Sequence, residues 1–338
     1  MAITIVDVAK EAGVSITTVS RVMNNNYPVK KETREKIEKA IEKLNYIPNV
    51  MARSLITNKT YTLGIVVPGI TNLFFPTIVE AIELSIKEWG YSIYLSNSSG
   101  DFIDEKKIIE GMLVRKVDGI IAVDPTRENI ENNFLNEISR QVPFIVINGL
   151  SDMGNCNFVS YDEKVGTSQA FEYLYKLGHR KIAFMRGYKS FSYDIKEEVY
   201  KEFINEYKLD YQSIINVGDG NSSEVVDNSE LKCEKILNSI DRPTAIFTCN
   251  ELMAVGILNL CSHFNINIPK DLSVIACDNT LLSRISKPKL TSIDLNIKKV
   301  GKIAAEELIN MINKNRKECE KVVIDTGLII RDSCSKIE

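Results

Sequence analysis

Near its N-terminus the chain reads Thr4-Ile-Val-Asp-Val-Ala-Lys-Glu-Ala-Gly13-Val-Ser15-Ile-Thr-Thr-Val-Ser-Arg-Val-Met-Asn24, which predicts two short helices that meet at a glycine. Thr4 and Asp7 have the spacing of a reciprocal N-terminal cap on the first helix. Gly13 supplies the turn, because it adopts a left-handed backbone conformation that a residue with a Cβ resists. Ser15 then caps the second helix.

A third helical pattern covers residues 32–44 and completes a small core. Apolar residues recur at helical spacing in all three segments, namely Ile5, Val8, Ala9 and Ala12, then Val19, Val22 and Met23, then Ile37, Ala40, Ile41 and Leu44. The second helix keeps a polar outer face, the form in which proteins place side chains in a DNA major groove. An ordinary helical hairpin is the alternative for the first two helices alone.

Five motifs follow one another along the N-terminal part of the chain, namely Asp7-Val-Ala-Lys-Glu-Ala-Gly-Val-Ser15, Thr18-Val-Ser-Arg-Val22, Thr33-Arg-Glu-Lys-Ile37, Asn45-Tyr-Ile-Pro-Asn49 and Ala52-Arg-Ser-Leu55. With these motifs the chain resembles the LacI/GalR family of bacterial transcription regulators over nearly its whole length. The first four resemble the family's DNA-binding headpiece and the fifth its hinge helix. The resemblance implies a helix-turn-helix headpiece over 1–48, a hinge over 49–60 and a core over 61–338.

The resemblance also implies which residues touch DNA. Ile16, Thr17 and Arg21 match the positions that reach base edges; arginine is the natural bidentate partner of guanine, and isoleucine suits a thymine methyl. Ser15, Thr18, Ser20 and Asn24 match positions that bond phosphates, which fixes register. In the hinge, the matching residues are Asn49, Ala52, Arg53 and Leu55. There Leu55 is expected to wedge between central base pairs in the minor groove.

The charge distribution supports this division. Residues 1–60 contain 10 Lys and Arg against 6 Asp and Glu, a formal net charge of +4. The other residues contain 32 basic and 39 acidic side chains, a net charge of −7. A basic head on an acidic body suits a module that meets phosphates while its body stays off the duplex.

The remaining composition favours a cytoplasmic protein that is not an enzyme. No secretory signal and no apolar run of about 20 residues is present, so no membrane partner is expected. The seven cysteines form no Cys-x-x-Cys pair and only two histidines occur, so we expect neither a metal nor a cofactor. Phosphate-binding loops, nucleophile elbows and histidine-based triads are absent. Gly218-Asp-Gly220 faintly resembles a dinucleotide loop, but position 223 is Ser.

From Tyr61 onward, short apolar runs alternate with helical patterns of 12 to 17 residues. Continuous apolar strands separated by helices predict parallel sheets covered on both faces, and the alternation restarts after Asn157-Phe-Val159. The expected fold is therefore a small all-α headpiece and an α/β core of two doubly wound subdomains, similar to periplasmic binding proteins. The resemblance implies three crossings, with one subdomain over about 61–160 and 293–322 and the other over about 161–292 and 323–338.

Two facing subdomains of this kind make a ligand cleft beyond the carboxyl ends of the strands. Matching by position to the family assigns the cleft to Phe74, Phe75, Asn148, Asp162, Lys196, Asn250 and Asp278. Helix-core packing is the alternative for the two phenylalanines. Lys196-Glu-Glu-Val-Tyr200 departs from the family's usual arginine motif, exchanging a fork-shaped donor for a point charge, so a typical sugar pocket is not expected.

The resulting hypothesis is a homodimeric repressor that binds a pseudo-palindromic operator in double-stranded DNA and answers to a small-molecule effector, a sugar or related metabolite. One alternative is a catabolite control regulator whose corepressor is the phosphorylated phosphocarrier protein HPr. Asp278-Asn-Thr280 resembles that branch, whereas Glu306 and Glu307 stand where its docking helix is basic. An alternative of another class, a sugar-binding protein without DNA function, leaves residues 1–60 unexplained.

Overall fold

The structure is a computed structural model that describes residues 3–24, 27–46, 59–147, 156–188, 190–314 and 321–337. The chain divides into two compact units, Met1–Thr60 and Tyr61–Glu338, called here the headpiece and the core. Each is described by itself.

The headpiece contains three helices, α1 (Ile5–Ala12), α2 (Ile16–Asn24) and α3 (Lys31–Leu44). They share one apolar cluster whose buried members are Val8, Ala9, Val19, Val22, Ile37, Ala40 and Tyr46. Ile5, Ala12, Met23, Ile41 and Leu44 are partly buried against it. The apolar spacing read from the sequence therefore corresponds to the face that each helix buries.

Both ends of α1 are held locally. The Asp7 carboxylate accepts hydrogen bonds from the Thr4 amide at 2.8 Å and the Thr4 hydroxyl at 2.7 Å. At the other end Gly13 has φ 66°, and its amide donates to carbonyls of the last turn. This left-handed residue ends α1 and turns the chain toward α2.

The core alternates strands and helices along the chain. Its described strands are β1 (Thr62–Val67), β2 (Ser92–Asn97), β3 (Gly119–Val123), β4 (Phe144–Ile147), β5 (Asn157–Tyr161), β6 (Ile182–Arg186), β7 (Ser213–Asn216), β8 (Ala245–Thr248), β9 (Ser273–Asp278), β10 (Thr291–Asp294), β11 (Lys321–Ile324) and β12 (Gly327–Ile329). Its described helices are α4 (Phe74–Ile86), α5 (Phe102–Val114), α6 (Arg127–Glu131), α7 (Phe134–Ser139), α8 (Glu163–Lys176), α9 (Phe191–Glu206), α10 (Val225–Leu237), α11 (Glu251–His263), α12 (Leu281–Ile285) and α13 (Ile297–Lys314). None of these helices combines the length and the apolar character needed to cross a membrane.

The strands form two six-stranded sheets. The first has the order β11-β5-β4-β3-β1-β2 and is parallel throughout. The second has the order β12-β10-β9-β8-β6-β7, and only the edge pair β10–β12 is antiparallel. The predicted two doubly wound subdomains are confirmed.

Alternate residues of the central strands serve opposite faces of the first sheet. Ile121 and Ile145 point into the large cluster that also contains residues of α4 and α13. Ile120 and Phe144 point into a second cluster with residues of α5 and α7. Because both faces are covered, these strands read as continuous apolar runs.

The chain crosses between the sheets three times. The crossings join β5 to α8, β10 to α13, and β11 to β12. Parallel strands place their carboxyl ends at one edge, and the loops from these edges of the two sheets contribute to a common cavity. This topology builds the cleft described below.

Gly13→Ala tests the turn between α1 and α2. Nothing lies within 4 Å of the position of the added Cβ, so the cost is backbone strain alone. We expect the headpiece to lose about 1–2 kcal/mol of stability, measured by hydrogen exchange of its amides in the full chain. Gly13→Asn is the matched control and should lose less, because asparagine tolerates φ above zero. Equal protection in the alanine variant and the parent chain would contradict this account.

Candidate functional site

The outer face of α2 presents the three residues predicted to read bases. Ile16 is 47 % exposed, and Thr17 and Arg21 are exposed as well. Val19 and Val22, on the opposite side, anchor the helix in the headpiece core. The structure therefore leaves Ile16 available to a partner instead of packing it in the headpiece.

Arg21 has an aromatic neighbour that sequence reasoning missed. Its guanidinium carbon lies 4.7 Å from the ring centroid of Tyr27, which is itself 59 % exposed. Stacking on the ring restricts the arginine to fewer rotamers while its donors remain exposed. Tyr27 lies beyond α2, so helical spacing carried no signal for this contact.

The residues predicted to bond phosphates are placed less uniformly. Ser15 caps α2, since its hydroxyl accepts the Thr18 amide at 3.2 Å and lies 2.8 Å from the Thr18 hydroxyl. Ser15 is exposed, whereas Thr18 and Ser20 are half-buried. The Asn24 side chain and the hinge residues Asn49, Ala52, Arg53 and Leu55 lie outside the described residues, so these assignments stay predictions.

In the core, loops that follow strands of both sheets enclose a cavity of about 30 Å³. Its lining comes from Asn72, Phe74, Phe75, Asp124, Tyr161, Ser190, Ser192, Tyr193, Asn221, Cys249, Asn250, Asp278 and Leu295. A volume of about 10–15 Å³ holds one water molecule. A metabolite of sugar size therefore requires this cleft to open.

The residues predicted to line the cleft divide into three groups. Phe74, Phe75, Asn250 and Asp278 line the cavity. Asp162 and Lys196 are not among its lining residues. Asn148 lies outside the described residues, so its assignment stays a prediction.

Asp162 caps a helix beside the cleft. Its Oδ1 accepts the amides of Lys164 at 3.1 Å and Val165 at 3.2 Å, which closes the first turn of α8. The carboxylate thus satisfies backbone donors that a helix leaves unpaired.

Lys196 points into the interior instead of the cavity. Its Nζ lies 2.5 Å from Glu163 Oε2 and donates to the Ser192 hydroxyl at 2.6 Å. Both charged side chains are at most 2 % exposed. Burial opposes the charge on Lys196, but the neighbouring Glu163 outweighs it and raises the lysine pKa above its ordinary value. The ammonium is therefore already paired in the interior.

Asn250 is also fully engaged. Its amide nitrogen donates to the Gly220 carbonyl at 2.7 Å and the Tyr193 hydroxyl at 3.3 Å. Its Oδ1 accepts the Met253 amide and caps α11. Asn250 acts as a positioning residue that fixes the wall of the cavity.

Two glycines make room for that wall. A Cβ on Gly220 would lie 2.2 Å from the Tyr193 hydroxyl oxygen, and a Cβ on Gly187 would lie 2.7 Å from the Tyr193 ring. Gly220, at the end of the segment Gly218-Asp-Gly220, thus serves close packing of an aromatic side chain. Tyr193 was missed because this contact joins segments that are far apart in sequence.

Two carboxyl side chains line the cavity, of which Asp278 is buried and Asp124 is half-buried. Burial raises the pKa of Asp124 to about 7, with the charge of Glu163 adding to the shift and that of Lys196 opposing it. Burial also raises the pKa of Asp278, to which the charge of Glu251 adds. Among the described atoms, Asp278 Oδ2 has no hydrogen-bond partner. Asp124 was missed, although it directly follows a predicted strand, as Asp278 does.

Asp278 links the cavity to the surface. Its φ of 106° is sparsely populated by residues other than glycine. It also lines a larger groove of about 740 Å³ bounded by the starts of α4, α12 and α13. A shift of this residue therefore reaches both the cavity and the groove.

A few polar contacts close the cleft. Asn221 accepts from the Thr71 hydroxyl at 3.1 Å and from the Asn72 amide at 3.2 Å. Arg127 of the first subdomain pairs with Asp194 of the second, which also binds Arg186 at 2.7 Å. Exposed and partly exposed polar contacts of this kind contribute little each, about 0–1 kcal/mol. The closed arrangement is therefore open to displacement by a ligand.

Glu163→Gln tests the buried pair. Removing the anion leaves Lys196 uncompensated, and we expect a loss of about 3–5 kcal/mol in the free energy of unfolding. The double variant Glu163→Leu, Lys196→Met removes both charges and should recover most of this stability. Denaturant unfolding of the three chains decides the point, and a double variant as unstable as the single one would contradict it.

Asp124→Asn tests the raised carboxyl pKa. The folded chain keeps the Asp124 proton up to about pH 7, whereas the unfolded chain releases it near the ordinary value of 3.8. Stability should therefore fall as pH rises through this window, by at most about 1.4 kcal/mol per pH unit. The variant lacks this ionisable group, so its free energy of unfolding should rise relative to that of the parent chain as the pH increases from 3.8 to about 7. Denaturant unfolding at several pH values measures it, with exposed Asp210→Asn as the matched control.

Comparison with known proteins agrees with both units. The family described as bacterial regulatory proteins, lacI family, matches residues 4–49, and the periplasmic binding protein-like domain family matches residues 171–334. Catabolite control protein A of Priestia megaterium is 33% identical over 337 residues, covering 98% of this chain and 99% of that protein. The transcriptional repressor PurR of Vibrio atlanticus (strain LGP32) is 34% identical over 327 residues, covering 95% of each.

A solved structure shows the same likeness over the whole length. The Lac repressor dimer bound to operator and the anti-inducer ONPF is similar with a TM-score of 0.86 at 25% identity, covering 99% of this chain and 100% of that chain. With a helix-turn-helix unit and a two-subdomain core in the same order, the chain belongs to the lacI family of bacterial regulatory proteins and is a DNA-binding transcription regulator.

Proposed function

We propose that this chain is a homodimeric repressor whose affinity for an operator is set by a small polar metabolite in the core cleft. The observation that carries this proposal is the outer face of α2, where Ile16, Thr17 and Arg21 are exposed while Val19 and Val22 hold the helix rigidly. We assign residues 1–48 to the DNA-binding headpiece, 49–60 to the hinge and 61–338 to the effector-binding core.

The α2 face suits the major groove. An α-helix fits the width of that groove, and an arginine donates two hydrogen bonds to guanine O6 and N7. Tyr27 holds the Arg21 side chain by stacking, which lowers the entropy lost on binding a base. Ile16 offers an apolar surface for a thymine methyl, and Thr17 a hydroxyl for a neighbouring edge.

The remaining DNA contacts are carried over from the resemblance. Ser15, Thr18, Ser20 and Asn24 would bond phosphates, and the positive charge of residues 1–60 favours this approach. In the hinge, we assign Asn49, Ala52 and Arg53 to the minor groove. Leu55 would unstack a central base step and bend the operator.

We infer from a solved relative that this chain forms a dimer. The solved Lac repressor is a dimer bound to its operator. A two-fold dimer places two copies of α2 on related half-sites, so we infer an approximately palindromic operator.

The cleft supplies the switch. Its closure rests on polar contacts that include the Thr71–Asn221 hydrogen bond and the Arg127–Asp194 ion pair. A ligand that favours one spacing of the subdomains shifts the population of core states. A coupling of about 1–3 kcal/mol to DNA binding changes operator affinity roughly 5- to 150-fold.

A protein corepressor of the HPr type has less support. Glu306 lies exposed on α13, where its carboxylate is 3.7 Å from Lys302 Nζ. An acidic side chain at this place repels the phosphate of a phosphorylated partner. We therefore propose small-molecule control.

Arg21→Ala tests base reading. We expect a loss of about 1–3 kcal/mol in operator binding and a relaxed preference at one base pair, because the bidentate donor is gone. The measurement is a competition assay with operator variants that each carry one changed base pair. Lys36→Ala is the matched control: it removes an exposed positive charge from α3, so it should weaken specific and random DNA alike.

Leu55→Ala provides a second contrast, for which a gel assay of operator bending accompanies the competition assay. It should reduce operator bending without relaxing the base preference that depends on Arg21.

If Arg21→Ala weakens binding to random DNA as much as binding to operator DNA, the assignment of Arg21 to base reading is wrong.

A further inference from the structure

We propose that the cleft ligand is a hydroxylated amine whose ammonium group binds between Asp124 and Asp278 against an aromatic wall. This inference deepens the proposed function and rests on the cleft being the effector site. It assigns the chemical class of the effector.

The first argument is charge. The thirteen lining residues of the cavity include two carboxylates, Asp124 and Asp278, and no lysine or arginine. Lys196 lies behind the wall and is paired with Glu163 at 2.5 Å. Arg186 is likewise engaged by Asp194 and Glu197. The positive charges near the cavity are thus committed to other acids.

The second argument is unmet hydrogen bonding. The hydrogen bond that the Ser190 hydroxyl donates to Asp124 is long, at 3.5 Å, and Asp278 Oδ2 has no partner among the described atoms. Asp278 is buried and Asp124 is half-buried. Burial raises the pKa of both acids because an unpaired charge is costly there, and a cation that donates hydrogen bonds favours their ionised form. A bound ammonium satisfies both acids together.

The third argument is the aromatic wall. Phe74, Phe75, Tyr161 and Tyr193 all line the cavity. The Phe74 ring meets that of Phe75 edge-to-face at 5.1 Å and that of Tyr161 at 6.0 Å between centroids. Aromatic faces attract cations, more strongly when the cation is desolvated. Carboxylates combined with aromatic rings form a site that prefers an ammonium to a hydroxyl.

A second cavity, which shares the lining residue Asn221 with the first, indicates what the rest of the ligand is. A neighbouring cavity of about 180 Å³ is lined by short polar side chains that include Thr71, Asn97, Ser99 and Ser223. Asp219 is its charged residue. Hydroxyl and amide groups of this kind bind hydroxyls, so a hydroxylated amine such as an amino sugar fits both parts.

The test uses matched probes on the full chain. Calorimetry compares D-glucosamine and 6-amino-6-deoxy-D-glucose with D-glucose and N-acetyl-D-glucosamine, which share the ring and lack the ammonium. The corresponding galactose and mannose sets vary the hydroxyl stereochemistry. We expect at least one amine to bind about tenfold or more tightly than its neutral counterparts. Neutral sugars that bind as tightly as every amine, or no binding by any amine at millimolar concentration, would overturn the proposal.

Variants locate the charge preference. Asp124→Asn and Asp278→Asn should each reduce the ratio of amine to neutral affinity several-fold, whereas exposed Asp210→Asn should leave it unchanged. An unchanged ratio in both cleft variants contradicts the assignment. If a variant fails to fold, the probe comparison on the unaltered chain still decides.

Operator binding of the same samples separates this inference from the proposed function. If neutral sugars alone bind and shift operator affinity, the cleft remains an effector site and the ammonium assignment is wrong. If specific operator binding is absent altogether, the proposed function fails independently of the ligand class.

Discussion

The buried ion pair of Lys196 and Glu163 is the interaction on which the chemistry of the core depends. It joins the start of α8 to α9 behind the cleft, with 2.5 Å between the charged atoms. Charges in the interior are weakly screened, so the pair also acts on Asp124 and Asp278. Burial raises the pKa of both aspartates, and the positive charge of Lys196 opposes that rise. Because Glu163 occupies this cation at close range, the two cavity carboxylates are left without a full counter-charge.

The geometry of the sheets explains why these groups meet. Parallel strands bring Asp124 after β3 and Asp278 at the end of β9 to facing edges of two different sheets, although they are distant in sequence. Three crossings hold the sheets together while a small set of polar contacts closes the cleft. Asp278, strained and shared between the cavity and the outer groove, is positioned to transmit the state of the cleft to the surface. The core thus combines an acidic ligand site with a residue, Asp278, that connects this site to the outer groove.

Much of the fold could be predicted, whereas the site could be predicted only in part. Buried strands are predicted by the runs Leu63-Gly-Ile-Val-Val67 and Phe144-Ile-Val-Ile147, because burial on both faces requires continuous apolar residues. Phe74, Phe75 and Asp278 were placed in the cleft by resemblance and line it in the structure. Lys196 was assigned by position as well, but position does not reveal rotamer direction, and the side chain turns toward Glu163. Asp124, Tyr161 and Tyr193 were missed because their neighbours come from distant segments.

The sequence by itself determined the helix-turn-helix headpiece, the alternation of strands and helices in the core, and the exposed polar face of α2. These features follow from local rules: capping at Thr4 and Ser15, a left-handed turn at Gly13, and the period of apolar residues. Only the tertiary structure decided that Tyr27 stacks on Arg21, that Lys196 pairs with Glu163 and that two aspartates line one aromatic cavity. The reason is physical: local conformation depends on neighbours in the chain, whereas charge pairing and burial depend on neighbours in space.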